Sequence, residues 1–378
     1  MNELVQGSIV VFRVDGSLVI GSGHIMRCLT LAVELSRKGC RCIFICRNHE
    51  GHLATLVCSK GFELILLETS IDESSGETRD ALVTHSDWLG VPWQEDSRQT
   101  REVLSQFSVD WLIVDHYALD FRWERSVIDL VGRVMVIDDL ADRSHECDLL
   151  LDQNLGRQEA DYNQRVPAYC RRLIGPRYAL LRTEFAKLRE VSRQRRLKPQ
   201  LKRILISLGG VDATNITGRV LNALAESDLP VETELDIVMG ASAPYLEEVR
   251  RQAVRLPFRT TVSVDVTDMA ERMYSADLSI GAAGSTSWER CCLGLPTVLV
   301  ILADNQVSGA RALHTWGAAI AIDHTTEALE TDLSASLIVL SGSKALQRMS
   351  NAAAEVTVGD GVGRVVDALA EVAGDMNE

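Results

Sequence analysis

The chain has 378 residues, of which 46% are hydrophobic and 24% charged, and its formal net charge is −14. This composition is typical of a globular protein long enough for two domains. The negative charge argues against a nucleic-acid-binding protein and against stable membrane association, since both need a basic surface. No signal peptide is evident, and the apolar run 295–303 is too short to span a bilayer, so we expect a cytoplasmic protein. The nine cysteines include no C-x-x-C pair and are expected to be free thiols.

Apolar runs of strand length alternate with amphipathic segments of helix length through most of the chain. In the first half we predict strands at 9–14, 42–46, 64–67, 111–114 and 134–137, and helices at 24–38, 53–60, 96–106 and 122–130. A second series has strands at 204–207, 235–238, 261–264, 278–280 and 297–301. Such uninterrupted apolar strands are typical of parallel sheets covered on both faces. The pattern predicts an α/β fold with two Rossmann-like, doubly wound domains that face each other across a cleft.

The predicted boundary between the domains is a basic, polar segment. Residues 190–202 contain five basic side chains and Pro199, as expected of a linker or an exposed connecting helix. We therefore assign residues 1–189 to the N-terminal domain and residues 203–378 to the C-terminal domain. The sequence leaves open whether the helices after Lys344 belong to the second domain or cross back to the first.

The loop after the first strand carries two glycines followed by a histidine. Gly21 and Gly23 allow a tight turn and close approach to a ligand, and the helix that follows favours an anion at its first N–H groups. Arg27 stands where a dinucleotide fingerprint needs glycine, and no Walker lysine follows. His24 begins the helix and suits proton transfer near neutral pH. We favour a catalytic role for His24 over the alternative, a histidine that only caps the helix.

Polar side chains follow the predicted strands at 111–114 and 134–137 and a further strand at 149–151, at the edge where doubly wound domains bind their ligands. These groups are Asp115-His116-Tyr117, Asp138-Asp139 and Asp152-Gln153-Asn154. Each aspartate alone would be typical of a helix cap or a loop. Together the three groups predict a polar pocket facing His24.

Glycine-containing loops also follow two strands of the second half. Gly209-Gly210 precede Asp212 and Asn215, with a plain βα turn as an equal alternative. Residues 281–289 bring together Gly284, Ser285, Thr286 and Glu289, which suit a pyrophosphate and a ribose, although a helix cap is a serious alternative. Asn305 follows the next strand and is a candidate contact to the sugar. We expect a nucleotide sugar with its pyrophosphate on the second domain and its sugar towards the first.

These residues match a known family. The chain resembles the UDP-2,4-diacetamido-2,4,6-trideoxy-β-L-altropyranose hydrolases of pseudaminic acid biosynthesis, which are similar to the MurG-like glycosyltransferases of GT-B architecture. The matching segments are 12–15, 21–29, 114–117, 137–140, 147–148, 178–182, 207–212 with Asn215, and 281–290. They occur in order over nearly the whole chain, and the combination is specific.

The resemblance implies that His24 is catalytic, that Tyr117 belongs to the active site and that residues 281–289 hold UDP. Further substrate contacts are expected from Asp15, Gly21, Gly23, Arg27, Asp115, Asn154, Gly210, Asp212, Gly284, Ser285, Thr286, Glu289 and Asn305. Ala283 departs from the family, where glycine is frequent, and this should change little.

The expected reaction is attack of water on the anomeric carbon of a UDP-sugar, with His24 as general base, inversion and release of UDP. We expect neither a metal nor a cofactor, because no Asp-x-Asp motif is found and Asp138-Asp139 is not spaced for one. One alternative is a glycosyltransferase, in which an acceptor hydroxyl replaces water. Another is a nucleotide-sugar binder without catalysis.

Overall fold

The computed structural model describes residues 6–69, 83–323 and 328–374. Within them the chain forms two compact units. Unit 1 comprises the described residues up to 180 together with those from 361 onward, and unit 2 comprises those from 181 to 360.

Each unit is built from strands that alternate with helices. Unit 1 contains β1 (Ile9–Val14), α1 (Gly23–Arg37), β2 (Arg41–Arg47), α2 (Ala54–Ser59), β3 (Glu63–Leu67), α3 (Trp93–Leu104), β4 (Val109–Asp115), α4 (Phe121–Val127), β5 (Val131–Ile137), β6 (Leu149–Asp152) and β7 (Arg171–Ile174). Unit 2 contains α5 (Thr183–Arg195), β8 (Arg203–Ser207), α6 (Ile216–Ala225), β9 (Glu234–Met239), α7 (Leu246–Ala253), β10 (Arg259–Val264), α8 (Met269–Ser275), β11 (Leu278–Ala282), α9 (Thr286–Cys292), β12 (Thr297–Ile301), α10 (Val307–Trp316), β13 (Ile320–Asp323), α11 (Leu329–Leu340) and α12 (Ser343–Val356). The final helix, α13 (Gly361–Gly374), belongs to unit 1.

Both sheets pair their named strands in parallel and are doubly wound. The strand order is β3-β2-β1-β4-β5-β6-β7 in unit 1 and β10-β9-β8-β11-β12-β13 in unit 2. The winding reverses between β1 and β4 in the first sheet and between β8 and β11 in the second. Ligands of such sheets bind beyond the carboxyl ends of the strands at this switch point. The prediction of two Rossmann-like domains is confirmed, and the loops after these strands are the candidate functional loops of each unit.

The strands of unit 1 bury side chains on both faces of the sheet. Val10, Phe12 and Val14 lie in an apolar cluster with residues of α1 and α13, whereas Val11 lies in the cluster on the other face. Phe12 stacks on Phe44 with ring centroids 4.8 Å apart. Burial on both faces explains the uninterrupted apolar runs from which these strands are predicted.

The predicted linker at 190–202 needs correction, because its basic side chains are part of unit 2. Helix α5 extends to Arg195, and the boundary between the units follows residue 180 rather than residue 189. Arg195 Nη2 donates to the carbonyl oxygen of Ser275 at 2.8 Å, and Arg196 Nη2 donates to that of Met273 at 2.8 Å. These carbonyl groups end α8 and have no partner within that helix. The basic run therefore caps a helix.

The last helix returns to unit 1, a point that the sequence leaves open. A Cβ atom at Gly361 would lie 2.3 Å from the carbonyl oxygen of Ala179, so the close approach at the start of α13 requires glycine. Helices α11 and α12 belong to unit 2. The assignment of 203–378 to one domain is thus wrong for its last part.

Three chemical properties concern the described residues as a whole. All nine cysteines are free thiols, as predicted. Over residues 6–69, 83–323 and 328–374, we find no helix with the length and apolar character needed to cross a membrane. In the same ranges no group of three or more His, Cys, Asp or Glu side chains is arranged to hold a metal ion.

Candidate active site

The loop between β1 and α1 places His24 at the carboxyl edge of the sheet in unit 1. Gly21 has a φ of +80°, in the left-handed region, and its N–H donates to the carbonyl oxygen of Ser17 at 2.9 Å. Helix α1 begins at Gly23, so His24 lies in its first turn. The two glycines therefore shape the loop as predicted, and their contact with substrate stays a prediction.

The imidazole of His24 is held by the carboxylate of Asp115 at the end of β4. His24 Nδ1 lies 2.6 Å from Asp115 Oδ1, and Arg27 donates to both oxygens of the same carboxylate at 2.6 Å. Burial alone would raise the pKa of Asp115, but the charges of Arg27 and His24 outweigh burial and hold that pKa well below its usual value. The ionised Asp115 is an acceptor. His24 Nδ1 therefore carries the proton that faces Asp115, which leaves Nε2 as the ring nitrogen that can exchange a proton with a ligand or water.

Asp115 and Arg27 need correction as predicted substrate contacts. The side chain of Asp115 is 0% exposed and that of Arg27 is 5% exposed. His24 and Arg27 are three residues apart on α1 and hence on one face of the helix, directed at the end of β4. Both Asp115 and Arg27 position the histidine.

Asp139 connects the remaining polar residues beside His24. The sequence places it in the predicted polar pocket but not among the expected substrate contacts. Asp139 Oδ2 accepts hydrogen bonds from the Tyr117 hydroxyl at 2.8 Å and from Arg27 Nη1 at 2.5 Å. Asn154 Nδ2 donates to the carbonyl oxygen of Asp139 at 3.1 Å, so the amide of Asn154 is held within the protein. Burial and the charge of Asp139 raise the pKa of Tyr117 well above its usual value, which keeps the phenol neutral. The signal for this residue was its place directly after the fifth predicted strand.

Asp15 also needs correction as a substrate contact. Its side chain is fully buried, and Oδ1 accepts hydrogen bonds from Arg13 Nη1 at 2.7 Å and from the Arg47 N–H at 2.6 Å. Arg13 and Arg47 are themselves paired with the buried carboxylate of Asp96. Asp15 is therefore part of a charged cluster inside unit 1.

Two carboxylates at the ends of β5 and β6 share one phenol. The Tyr162 hydroxyl lies 2.9 Å from Asp138 Oδ2 and 2.8 Å from Asp152 Oδ2. A phenol donates a single proton, so both contacts are favourable only when one carboxyl group is protonated. Burial raises the pKa of Asp152 to about 7, and the charge of Asp139 adds to the rise. The pKa of Asp138 is held low in spite of burial by the charge of Arg143. Asp152 is therefore the carboxyl group of the pair that takes up a proton as the pH falls below about 7.

We expect Asp152 to make the protein less stable as the pH rises from 4 to 8. An unfolded aspartate titrates near pH 3.9, whereas folding raises the pKa of Asp152 to about 7. The stabilisation from Asp152 is complete below the pKa of the unfolded state. It is lost as the pH rises through the pKa of the folded state. Relative to Asp152→Asn, the wild type should lose up to about 4 kcal/mol over this range.

The measurement is the urea midpoint of both proteins between pH 4 and 8. Burial lowers the pKa of His85 and of His116. These two histidines therefore make the folded protein more stable as the pH rises, opposite to the effect of Asp152. The difference between wild type and variant isolates Asp152, and a difference that does not vary with pH would contradict the prediction.

The loop after β11 in unit 2 presents accessible backbone and two hydroxyls. Arg290 is buried and its Nη2 donates to the carbonyl oxygen of Ala282 at 2.6 Å and to Ser287 Oγ at 3.1 Å, which fixes the loop. Ser285 is partly exposed and Thr286 is exposed. Ser285 makes no side-chain cap to α9, so the capping alternative weighed for it is not formed.

Glu289, in the first turn of α9, keeps one oxygen available. Its Oε1 accepts a hydrogen bond from Arg182 Nη2 at 3.2 Å, and among the described residues Oε2 has no hydrogen-bond partner. Burial raises the pKa of Glu289 in spite of the charge of Arg182. Arg182 lies in a segment that carried the resemblance, but the predicted site residues omit it.

Asp212 needs correction, because it caps a helix. Its two carboxylate oxygens accept hydrogen bonds from the N–H groups of Ile216 at 2.8 Å and Thr217 at 2.9 Å, at the start of α6. Asn215 is the N-cap residue of the same helix, and its Oδ1 accepts a hydrogen bond from the N–H of Gly218 at 3.1 Å. Asp212 is therefore structural.

Gly210 and Asn305 complete the predicted set. Gly210 is exposed, and its carbonyl oxygen accepts from the N–H of Gly240 at 3.0 Å. Asn305 Oδ1 is buried and has no partner within the described part of the chain. A buried acceptor without a hydrogen-bond partner is unfavourable, so a hydrogen-bond donor of a ligand would be stabilising beside Asn305, after β12.

Similarity to known proteins covers most of the chain. Residues 204–365 match the family model described as the glycosyltransferase family 28 C-terminal domain. The UDP-2,4-diacetamido-2,4,6-trideoxy-beta-L-altropyranose hydrolase of Campylobacter jejuni is 26% identical over 308 residues, which cover 81% of this chain and 95% of that protein. The resemblance predicted from the motifs is confirmed.

Two further comparisons extend this result. An uncharacterised protein of Methanocaldococcus jannaschii is 23% identical over 294 residues, 76% of this chain, and the match spans only 54% of that relative. The crystal structure of Acinetobacter baumannii MurG superposes with a TM-score of 0.69 at 19% identity, covering 96% of this chain and 99% of MurG. The chain and MurG therefore share a fold.

Proposed function

We propose that the protein hydrolyses a UDP-sugar between the anomeric carbon and the pyrophosphate oxygen, with inversion. The observation that carries the proposal is the His24–Asp115 pair, which leaves Nε2 free on a side chain that is 10% exposed at the switch point of unit 1. The similarity to the Campylobacter jejuni hydrolase supports UDP-2,4-diacetamido-2,4,6-trideoxy-β-L-altropyranose as the substrate. The free sugar would then enter pseudaminic acid biosynthesis.

In this mechanism a water oxygen bonds to the anomeric carbon while the bond to the pyrophosphate oxygen breaks. His24 Nε2 takes the proton from the water, and Asp115 stabilises the resulting imidazolium through Nδ1–H. Arg27 keeps the Asp115 carboxylate in place. UDP leaves with the electron pair of the broken bond, and His24 returns its proton to solvent. A single displacement inverts the anomeric centre.

Unit 2 would hold the nucleotide. The backbone and hydroxyls of Ser285 and Thr286 suit the pyrophosphate, whose developing charge they would stabilise. Glu289 Oε2 is available to the ribose hydroxyls, and Asn305 Oδ1 would gain the donor that it lacks. The proposal uses neither a metal nor a cofactor.

Two glycines, one at the end of β11 and one in the loop after it, offer a matched pair of variants. A Cβ at Gly281 would lie 2.0 Å from Arg290 Nη1, whereas a Cβ at Gly284 would meet nothing within 4 Å. Gly281→Ala should displace the guanidinium that fixes the loop and cost roughly 1–3 kcal/mol of stability. Gly284→Ala should keep the urea midpoint and weaken UDP binding in calorimetry, because the methyl group occupies space that the pyrophosphate approaches. Unchanged UDP affinity in Gly284→Ala would exclude this loop from the nucleotide site.

A UDP-sugar-dependent glycosyltransferase is the second candidate. The match of residues 204–365 to the glycosyltransferase family 28 C-terminal domain and the fold shared with MurG favour it. The same base would then deprotonate an acceptor hydroxyl in place of water.

The deciding experiment incubates the protein with UDP-2,4-diacetamido-2,4,6-trideoxy-β-L-altropyranose and EDTA, without an acceptor. NMR follows free UDP and the anomeric configuration of the released sugar. Release of both, with inversion, supports a hydrolase that needs no metal. Tight binding without release would overturn the proposal in favour of the transferase.

A further inference from the structure

Four aromatic rings contact one another beside the proposed base. Trp88 stacks on Tyr117, with ring centroids 5.6 Å apart and an angle of 26° between the planes. His85 lies 4.5 Å from Trp88 and 5.4 Å from Tyr117, measured between centroids. His24 meets Tyr117 edge-on at 4.6 Å and Trp88 edge-on at 6.4 Å. We call these four residues the aromatic wall.

Trp88 is presented by a short anchored segment. Residues Ser86–Leu89 form a single 3₁₀ turn, which ends at Gly90 with a φ of +73°. Leu89 is buried in the core, while Trp88 remains partly exposed. Trp111 and Trp123, by contrast, are 1% and 0% exposed. A large ring that stays partly exposed beside a catalytic side chain is suited to ligand contact rather than to core packing.

The wall offers a ligand little hydrogen bonding. The Tyr117 hydroxyl donates to Asp139, and His24 Nδ1 is paired with Asp115. Burial lowers the pKa of His85, so its ring is uncharged at neutral pH. Tyr117 is only 5% exposed, so the exposed part of the wall consists mainly of the Trp88 and His85 rings, whose faces are aromatic and whose ring nitrogens lie at the ring edges. Ring faces of this kind bind C–H and methyl groups, whereas a hydroxyl placed there would lose its hydrogen bonds to water.

We propose that Trp88, braced by His85, is a specificity-determining residue that selects a UDP-linked 6-deoxy sugar over the sugar with a hydroxymethyl group. The inference rests on the proposed function, because it names the residue that selects the sugar proposed for the same site. An apolar pocket distinguishes substrates that differ by one small group by about 10-fold to 200-fold. We expect a preference of this size for the 6-deoxy substrate.

The test compares kcat/KM for UDP-2,4-diacetamido-2,4,6-trideoxy-β-L-altropyranose and for its analogue with a hydroxyl at C6. The wild type should prefer the 6-deoxy compound, and Trp88→Leu should bring the two values close together. Trp88→Phe, which keeps a ring, should retain part of the preference. Trp93→Leu is the matched control, because Trp93 is also partly buried nearby and contacts Arg122 instead of the wall. The ratio of the two kcat/KM values in Trp93→Leu should equal that of the wild type.

Calorimetry separates this inference from the proposed function. If the wild type hydrolyses neither compound, the proposed function fails, and the dissociation constants of UDP and of the two UDP-sugars then test the wall. Trp88→Leu should remove the difference between the two sugars and leave the affinity for UDP unchanged. The inference is overturned if the wild type binds both sugars with equal affinity or binds neither of them. It is also overturned if Trp88→Leu keeps the preference of the wild type.

Discussion

Replacing His24 with asparagine should lower kcat/KM for the UDP-sugar by roughly 10²- to 10⁴-fold, the usual contribution of a positioned general base. The affinity for UDP should not change, because the residues proposed to hold the nucleotide lie in unit 2. Asparagine is preferred to alanine as the first variant, since its amide can still donate to the buried carboxylate of Asp115. His24→Ala should lose the same activity, at a further cost in stability.

The measurement combines steady-state hydrolysis with calorimetry of UDP. His314→Asn is a matched control, because His314 is exposed on α10 in unit 2 and its Nδ1 accepts from the N–H of Ala321. It should leave both activity and UDP affinity intact. Retained turnover in His24→Asn would remove His24 from its proposed role.

The His24 loop could be predicted because its chemistry is local. Two glycines before a helix predict both the turn and the position of the next side chain in the first helical turn, within a few residues. The fold class could also be predicted, because uninterrupted apolar runs indicate strands that are buried on both faces of a sheet. The short edge strand β7 was not predicted, because it begins with Arg171-Arg172 and contains only two apolar residues.

The roles of the aspartates could not be predicted from the same signals. Asp15 and Asp115 both end an apolar strand of one sheet, yet one pairs with Arg13 and the other with His24. His24 and Asp115 are 91 residues apart, and only the order of the strands brings them together. The clustering of polar residues at strand ends predicted proximity, but the partner of each carboxylate depends on side chains contributed by several elements.

Asp115→Asn should lower kcat by roughly 10²- to 10⁴-fold with little change in KM, since the residue acts through His24 and does not touch substrate. An asparagine amide facing Nδ1 favours the tautomer with its proton on Nε2. That tautomer has no lone pair to take the proton from water. The negative charge that stabilises the imidazolium is lost as well, so the acidic limb of the kcat/KM profile should move to lower pH.

Asp115→Asn should also affect stability, and this effect can be separated from the effect on catalysis. Asp115 also accepts hydrogen bonds from buried Arg27, and breaking a buried pair costs about 3–5 kcal/mol. Arg27→Lys is the comparison, because it disturbs the same cluster and leaves the Asp115 charge facing His24. Both variants should lower the urea midpoint, while only Asp115→Asn should shift the pH profile. Equal profiles in the two variants would mean that Asp115 supports the fold without positioning the base.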